Sequence, residues 1–305
     1  MHAWRLFYCI LSLVVLSITV PGYSCCSLAP AEFSDTKGWV GTGVRNGRTI
    51  HLLAYQNSVV NDAKTPGGNA MFLPIPAVPG SMSHENMIDT SKFPHFLDAI
   101  ATAIKNAAAP KWDISVAMSS AGDVEVFNSG MYTVVLAKDA EAIPGALKAV
   151  PADKRPTINP AIFSAYKKWY PGWTFALCCF NNTKKVEADP LLWWYEPQSP
   201  NQLFFPGLDC HTGAVPKLDD VVDVDHIIAV SDSGYNDWLG TLWHPTVGVE
   251  YTDQIPAEIR QLLPDRVIGK EFHGKMPQGD FVFDVADVRA DKFILKRVLP
   301  PGAKI

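Results

Sequence analysis

The sequence predicts an α+β fold dominated by antiparallel sheet, and three observations support this prediction. The chain has 305 residues, of which 48% are hydrophobic and only 19% are charged, so it has enough apolar surface for a large core. Short β-branched and aromatic runs recur between turns rich in glycine, proline and asparagine. Helical spacing occurs too seldom for a regular alternation of strands and helices around a parallel sheet.

The first elements of the folded chain are predicted to be a β-hairpin and a helix. TIHLLAYQNSVV (49–60) is β-branched and partly alternating, and NAMFLPIPAVPG (69–80) is an apolar strand interrupted by prolines. The turn residues KTPGG between them predict that the two strands pair. Phe96, Ile100 and Ile104 then follow at helical spacing and end before a proline, which predicts a packed helix.

The middle of the chain is predicted to alternate between strands and short helices. Two strands flank the turn NSG, and two short helices follow it. Turn residues then separate three apolar runs, which predicts three consecutive strands. The helices are predicted in DAEAIPGALKAV (139–150) and NPAIFSAYKKWY (159–170), and the strands in GWTFALCCF (172–180), PLLWWYEP (190–197) and NQLFFPGLDCH (201–211).

The pattern changes after Gly213, and the segment from Gly213 to Val224 is the best internal boundary. An acidic loop, PKLDDVVDVD (216–225), precedes a strand, HIIAVS (226–231). A short helix, PAEIRQLL (256–263), precedes a closing β region that ends in FILKRVL (293–299). The sequence therefore predicts an α+β domain over 25–212 and a β-rich C-terminal extension over 213–305, which is either separate from that domain or part of it.

Residues 1–24 have the three-part layout of a secretory signal peptide. Arg5 and the amino terminus are positive, residues 6–20 are apolar and uncharged, and small residues follow. A run of 15 apolar residues is short for a membrane span of roughly 20. We predict cleavage between Gly22 and Cys26 and a secreted, periplasmic or cell-envelope protein; an uncleaved anchor reaching Tyr23 and lipidation of Cys25 are the alternatives.

The net charge of the chain indicates which classes of binding partner are expected. Twenty-six Lys and Arg against 31 Asp and Glu give a net charge of -5, so there is no basic excess to neutralise phosphates. Nucleic acid is therefore not predicted as a partner. No cofactor is predicted, an unknown protein or glycan is the expected partner, and the membrane is reached only through an N-terminal lipid or an uncleaved anchor.

Five cysteines remain once the leader is removed, in a compartment that permits disulfides. We predict a bridge from Cys210 to Cys178 or Cys179, because their strands are close in the sequence and apolar. Adjacent strand residues point to opposite faces, so only one of the CC pair faces a given neighbouring strand. Buried unpaired thiols are the alternative, and zinc is less favoured because CC lacks the usual two-residue ligand spacing.

The densest cluster of residues with metal-ligand chemistry is Asp209, Cys210 and His211 together with the acidic loop that follows and ends at His226. Asp209, His211 and His226 are the candidate metal ligands, and a solvated acidic loop with two ordinary strand-end histidines is the alternative. Asp209 and His211 are two residues apart on an extended segment and therefore share one face. The loop that follows leaves the position of His226 open, so we predict that the three do not converge on a metal. The chain contains no Gly-x-Ser-x-Gly or His-Glu-x-x-His motif.

Aromatic residues give a second weak signal for function. Trp193 and Trp194 are adjacent in one predicted strand, so they face opposite sides, and both are buried only if both faces of the sheet are covered. Exposed aromatic rings on exported β domains bind sugars or proteins. The predicted function is an exported, non-catalytic binding or structural module of unknown ligand. The alternative is a metal-dependent hydrolase that uses Asp209, His211 and His226.

Several segments follow one another in a distinctive order: a strand entering PIP, a helix beginning FLDAI, the segment GMYTVVLAKDAEAI, a helix reaching YKKWYPGWTFAL, and PLLWWYEPQSPNQLFFPGL. This order resembles that of an uncharacterised family of exported bacterial proteins, a domain of unknown function. The resemblance covers about Thr49 to Leu208 and implies export and a shared fold. It implies no reaction and no catalytic residues. The family usually has several spaced cysteines at its mature start, whereas this chain has only CC.

Overall fold

The computed structural model describes residues 25–63, 67–107, 126–233 and 246–303. The predicted signal peptide lies outside the described residues. The strands, numbered in chain order, are β1 Cys26–Ser27, β2 Ala31–Arg45, β3 Arg48–Asn61, β4 Asn69–Ile75, β5 Met87–Ile88, β6 Val126–Ser129, β7 Tyr132–Ala137, β8 Thr174–Phe180, β9 Val186–Glu187, β10 Leu191–Tyr195, β11 Gln202–Phe205, β12 Val221–Ser231, β13 Val247–Gly248, β14 Arg266–Pro277, β15 Asp280–Asp284 and β16 Lys296–Val298.

Five short α-helices and three 3-10 helices lie between these strands in the described ranges. The α-helices are α1 Phe96–Asn106, α2 Ile143–Ala146, α3 Pro160–Trp169, α4 Ala257–Arg260 and α5 Val285–Arg289, and the 3-10 helices are His84–Asn86, Ala140–Ala142 and Leu147–Ala149. Within the described ranges, none of the helices is both long and apolar enough to cross a bilayer.

The strands form three sheets. A five-stranded sheet has the order β1-β4-β8-β7-β6, and an eight-stranded sheet has the order β13-β14-β12-β2-β3-β10-β5, with β9 paired to β3. A small sheet has the order β11-β15-β16. All neighbours pair antiparallel except β2 and β12, which are parallel. The predicted α+β fold dominated by antiparallel sheet is therefore confirmed.

Apolar clusters on both faces of the two large sheets explain why many strands are buried throughout. The central cluster joins side chains of all three sheets, among them Val134, Leu53 and Phe281. A second cluster packs the other face of the five-stranded sheet against α3. A third packs the other face of the eight-stranded sheet against α1. Strands covered on both faces read as continuous apolar runs, and β4, β7 and β8 are buried along their whole lengths.

The predicted hairpin between residues 49–60 and 69–80 is wrong. The chain leaves β3 in the eight-stranded sheet and enters the five-stranded sheet at β4, where β1 and β8 are its neighbours. Both strands are apolar on both faces, so each needs a central position with two neighbours. The hairpin that forms is β2–β3, in which Asn46 and Gly47 turn the chain with positive φ angles of 51° and 74°.

The structure differs from two further expectations that were based on the sequence. The strands β8, β10 and β11 follow one another in the chain but lie in three different sheets. The second half of the predicted acidic loop is part of β12, which begins at Val221 and pairs with β14 there, before its pairing with β2 begins at His226. The C-terminal extension shares sheets with the preceding domain, since β12 pairs with β2 and β15 pairs with β11.

Candidate functional site

The structure brings two of the three predicted metal-ligand residues together. Asp209 Oδ1 lies 2.7 Å from His211 Nε2, although the angle is not that of a hydrogen bond, and both side chains are nearly buried. The His211 ring packs edge-on against Phe33, with ring centroids 5.2 Å apart. Gln278 holds this segment, because its Oε1 accepts from the N–H of Asp209 at 2.9 Å and its Nε2 donates to the Asp209 carbonyl at 2.7 Å.

His226 lies in the interior of β12 and is only 1% exposed. Its ring centroid is 5.5 Å from that of Phe281. Burial, together with the nearby Arg297 and His211, lowers the pKa of His226 to about 3. The Asp225 carbonyl slightly favours the protonated form, but neither ring nitrogen has a hydrogen bond of good geometry to any residue that the structure describes.

In the ranges that the structure describes, there is no group of three or more His, Cys, Asp and Glu side chains that could hold a metal ion. Asp209 and His211 instead form a pair that packs on the Phe33 ring, and His226 is a neutral core residue. The ligand set of the hydrolase alternative is therefore not assembled in this fold.

Because the described residues include no group of three or more side chains that could hold a metal ion, we expect a chelator to leave the melting temperature unchanged. A metal that holds part of a fold together contributes its binding free energy to folding, and chelation removes that contribution. The measurement is thermal unfolding before and after dialysis against EDTA, with metal content determined in both samples. A stoichiometric metal that is lost together with a fall in melting temperature would contradict this expectation.

The five cysteines of the described chain are free thiols. The predicted bridge from Cys210 to Cys178 or Cys179 does not form, because two strands separate them. Cys210 pairs with β1, and β4 lies between β1 and β8, where the CC pair is located. Cys178 faces the central cluster and Cys179 faces the opposite cluster, so the expected difference between their environments is confirmed.

Cys25, the residue considered for lipidation, is buried in the central cluster and 3% exposed. Its carbonyl accepts a hydrogen bond from the N–H of Cys210 at 3.0 Å. Burial raises the pKa of the Cys25 thiol well above its usual range. An acyl chain on this sulfur would therefore require the start of β1 to leave the core. Lipidation stays a prediction.

The two adjacent tryptophans of β10 face opposite sides of the sheet, as predicted. Trp193 is fully buried in the central cluster. Trp194 is partly exposed, and its Nε1 donates to the Glu85 carbonyl at 3.1 Å. The guanidinium of Arg45 covers the Trp194 ring at 4.4 Å from the centroid. Neither ring is therefore a free aromatic platform for a sugar.

An open cleft lined by residues of the segment that follows β13 and runs into α4 is the site that sequence reasoning missed. Its volume is about 540 Å³. It lies between β13 and α4 and next to the start of α1, because Asp253 Oδ2 accepts from the N–H of His95 at 2.9 Å. The residues that line it are Tyr251, Asp253, Gln254, Ile255, Pro256 and Arg260.

The polar group of greatest interest in the cleft is the carboxylate of Asp253. The residue is 8% exposed, and its Oδ1 atom is buried without a hydrogen-bond partner among the described residues. Burial raises the pKa of Asp253, while the N–H and the ring of His95 lower it. A buried carboxylate oxygen without a donor carries an uncompensated desolvation cost, which a hydrogen-bond donor removes.

The lining of the cleft also includes a positive charge, that of Arg260. The guanidinium of Arg260 stacks on the Tyr251 ring at 4.8 Å from the centroid. Arg260 also pairs with the exposed Asp265 and donates from Nη1 to the Leu263 carbonyl at 3.2 Å. The Tyr251 hydroxyl donates to the Pro264 carbonyl at 2.8 Å, which fixes the ring. The cleft thus presents one acceptor and one cation on rigid supports.

No local signal marks these residues in the sequence. YTDQIP (251–256) has the composition of an ordinary loop, and Arg260 lies on an ordinary short helix. Asp253 becomes a buried, half-satisfied carboxylate only because the chain folds back on His95, 158 residues earlier. Such long-range contact leaves no trace in spacing or periodicity.

Comparison with known proteins gives no family for this chain. No family model matches it, and no curated protein matches it. The resemblance to the exported bacterial family therefore stays a prediction.

Several solved structures of baculovirus P35 are similar to this chain. The crystal structure of baculovirus P35 has 13% identity and a TM-score of 0.38, covering 83% of this chain and 90% of that chain. The caspase-8/P35 complex has 10% identity and a TM-score of 0.38, covering 82% and 88%. A mutated baculovirus P35 after caspase cleavage has 9% identity and a TM-score of 0.35, covering 81% and 90%.

Proposed function

We propose that this chain is an exported, non-catalytic binding module, and that its ligand is a small zwitterion carrying an ammonium group. The observation that carries the proposal is the unpartnered, buried Oδ1 of Asp253 at the wall of the cleft. Export rests on the leader pattern of residues 1–24. The protein or glycan partner expected from the sequence alone stays a broader prediction.

The chemistry of the cleft favours an ammonium group at Asp253. An ionised carboxylate accepts its strongest hydrogen bonds from charged donors, and an ammonium group supplies three of them. A hydrogen bond from the ammonium group to this carboxylate compensates the desolvation cost that the buried Oδ1 atom carries.

Arg260 supports a carboxylate at the other end of the ligand. Its guanidinium has five N–H donors, of which the Leu263 carbonyl and Asp265 occupy only part. Asp253 and Arg260 together leave the lining of the cleft without net formal charge. A zwitterion such as an amino acid complements both poles, and the apolar Ile255 and Pro256 offer a surface for a side chain.

The test is a binding screen with the twenty L-amino acids and the N-acetyl derivative of each, followed by calorimetry on every compound that raises the melting temperature. We expect at least one free amino acid to stabilise the protein by mass action, and its N-acetyl derivative to have no effect because the ammonium group is lost. If no compound in the panel binds at millimolar concentration, the proposal is wrong.

Asp253→Asn is the decisive variant. It removes the charge but retains an oxygen that accepts from the N–H of His95, so α1 keeps its contact. Losing a charged hydrogen bond of about 1.5–3 kcal/mol weakens binding roughly 10- to 150-fold. Glu258→Gln on the exposed side of α4 removes the same charge without lining the cleft, and its affinity is expected to be unchanged. Equal affinities of the two variants would contradict the assignment of Asp253.

A further inference from the structure

We propose that Cys26 and Cys210 are a disulfide-forming pair, through which oxidation joins the first described strand covalently to the segment that follows β11. The proposal concerns a modification site and does not depend on the ligand of the cleft. It also replaces the partner that the sequence alone suggested for Cys210.

The backbone places the two cysteines directly opposite each other. Cys26 and Cys210 form a parallel β-bridge, in which the N–H of Ser27 donates to the Cys210 carbonyl at 2.9 Å and the N–H of Cys210 donates to the Cys25 carbonyl at 3.0 Å. Neighbouring strands lie about 4.8 Å apart. This spacing falls within the Cα separation of about 4.4–6.8 Å that a disulfide spans.

The two side chains also lie on the same side of the backbone. Opposed residues on neighbouring strands point to the same face of a sheet. Cys26 belongs to the cluster between the five-stranded sheet and α3, and Cys210 packs against that same cluster. Cys25 faces the opposite, central cluster, and β4 separates Cys179 from Cys26. Cys26 is therefore the thiol that the fold offers to Cys210.

The segment that carries Cys210 is held in place before any bond forms. Pro30 and Thr212 form a second bridge, and the N–H of Ala31 donates to the His211 carbonyl at 3.1 Å. Gly213 has a φ of 74°, and a side chain there would meet the Leu28 carbonyl at 2.7 Å. This close approach keeps the Cys210 segment against the start of the chain.

The two thiols differ in access, which sets the order of reaction. Cys26 is 1% exposed, and burial raises the pKa of its thiol, so its reactive thiolate is scarce. Cys210 is partly exposed, and its Sγ donates to the Ala214 carbonyl at 3.1 Å and lies 3.3 Å from Thr212 Oγ1. An external oxidant therefore meets Cys210 first. Both thiols are free in the structure, so a bond to Cys26 requires the Cys210 side chain to turn away from the Ala214 carbonyl.

The reaction is thiol–disulfide exchange with a small disulfide such as oxidised glutathione. The Cys210 thiolate attacks that disulfide, forms a mixed disulfide and releases one glutathione thiolate. The Cys26 thiol loses its proton to solvent, and its thiolate attacks the Cys210 sulfur and releases the second glutathione thiolate. Two protein thiols are oxidised to one disulfide, and one glutathione disulfide is reduced to two thiols.

The experiment incubates the reduced, purified chain with oxidised glutathione, alkylates the remaining thiols in denaturant and maps the peptides without reduction. We expect one cross-linked peptide that joins Cys26 to Cys210, with Cys25, Cys178 and Cys179 alkylated. Because the bridge closes a very long loop, the oxidised protein is expected to melt roughly 5–15 °C above the reduced protein.

Cys210→Ser is the test variant, because the residue is partly exposed and the serine hydroxyl replaces the thiol as a donor to the Ala214 carbonyl. In this variant the cross-link and the difference in melting temperature between oxidised and reduced protein are both expected to disappear. Cys178→Ala, in the central cluster, is the matched control and is expected to keep both. The proposal fails if Cys26 and Cys210 are both recovered alkylated after oxidation, or if Cys210 is cross-linked to Cys178 or Cys179.

Discussion

Trp193→Ala is expected to lower the free energy of unfolding by about 3–5 kcal/mol, which is the cost of truncating a large aromatic side chain in a packed core. Trp193 is fully buried, and its strand β10 lies between β3 and β5, where it is opposite Leu53 and Met87. Its Nε1 has no hydrogen-bond partner among the described residues. The loss therefore reflects apolar contacts and the cavity left behind.

Trp194→Ala is the matched control for this prediction, since it removes the same side chain from the next position of the same strand. Trp194 is partly exposed and loses one hydrogen bond to Glu85 and the contact with Arg45, so a smaller loss of about 1–2 kcal/mol is expected. Urea unfolding followed by far-UV circular dichroism measures both variants without relying on tryptophan fluorescence. Equal losses would show that the two faces of β10 are not packed differently.

His226→Leu is expected to reduce the loss of unfolding free energy that occurs when the pH is lowered from 7 to 4.5. The folded-state pKa of His226 is lowered to about 3, whereas an unfolded histidine titrates near 6.5. Between pH 6.5 and pH 3, His226 therefore binds a proton in the unfolded state but not in the folded state. The free energy of unfolding falls as the pH drops through this range. Between pH 7 and 4.5 this single group removes about 3 kcal/mol from the wild-type protein.

Two other buried groups set the background of that measurement. His51 has its pKa lowered to about 4 by burial and acts in the same direction as His226. Asp280 has its pKa raised to about 6, mainly by burial, so the folded state gains a proton first and is stabilised as the pH falls from about 6 towards 3.8. The contributions of His51 and Asp280 oppose each other between pH 7 and pH 4.5. Both groups are present in the wild type and in the His226→Leu variant, so the comparison of the two proteins isolates the contribution of His226.

The measurement is urea unfolding at pH 7 and at pH 4.5 for the wild type and for His226→Leu. The difference between the two pH values is expected to shrink by about 3 kcal/mol in the variant. Leucine has a similar volume and leaves no ring nitrogen unsatisfied, so stability at pH 7 is expected to be retained or raised. If the variant loses as much unfolding free energy between pH 7 and pH 4.5 as the wild type does, His226 is not buried in its neutral form.

Local pattern was sufficient to predict most of the elements. The spacing of Phe96, Ile100 and Ile104 predicted α1, and β-branched runs between turn residues predicted β3, β8 and β10. These features depend on residues that are neighbours along the chain, so the sequence records them directly. The opposite orientations of Trp193 and Trp194 followed in the same way from strand alternation.

Pairing of strands was not predictable from the same information. β3 and β4 read as a hairpin, yet each is apolar on both faces and takes a central position in a different sheet. An apolar run covered on both faces carries no alternation that would identify its neighbours. The expected proximity of Cys210 to the CC pair failed for this reason, since it assumed that successive strands lie side by side.

The sequence by itself determined the fold class, the positions of most elements and the shared face of Asp209 and His211, because each depends on composition or on residues a few positions apart. Only the tertiary structure decided that His226 is a neutral core residue, that Cys26 is opposite Cys210, and that Asp253 reaches His95 at the start of α1. The physical reason is that burial and desolvation are set by long-range contacts, and these place residues together that are unrelated in the chain.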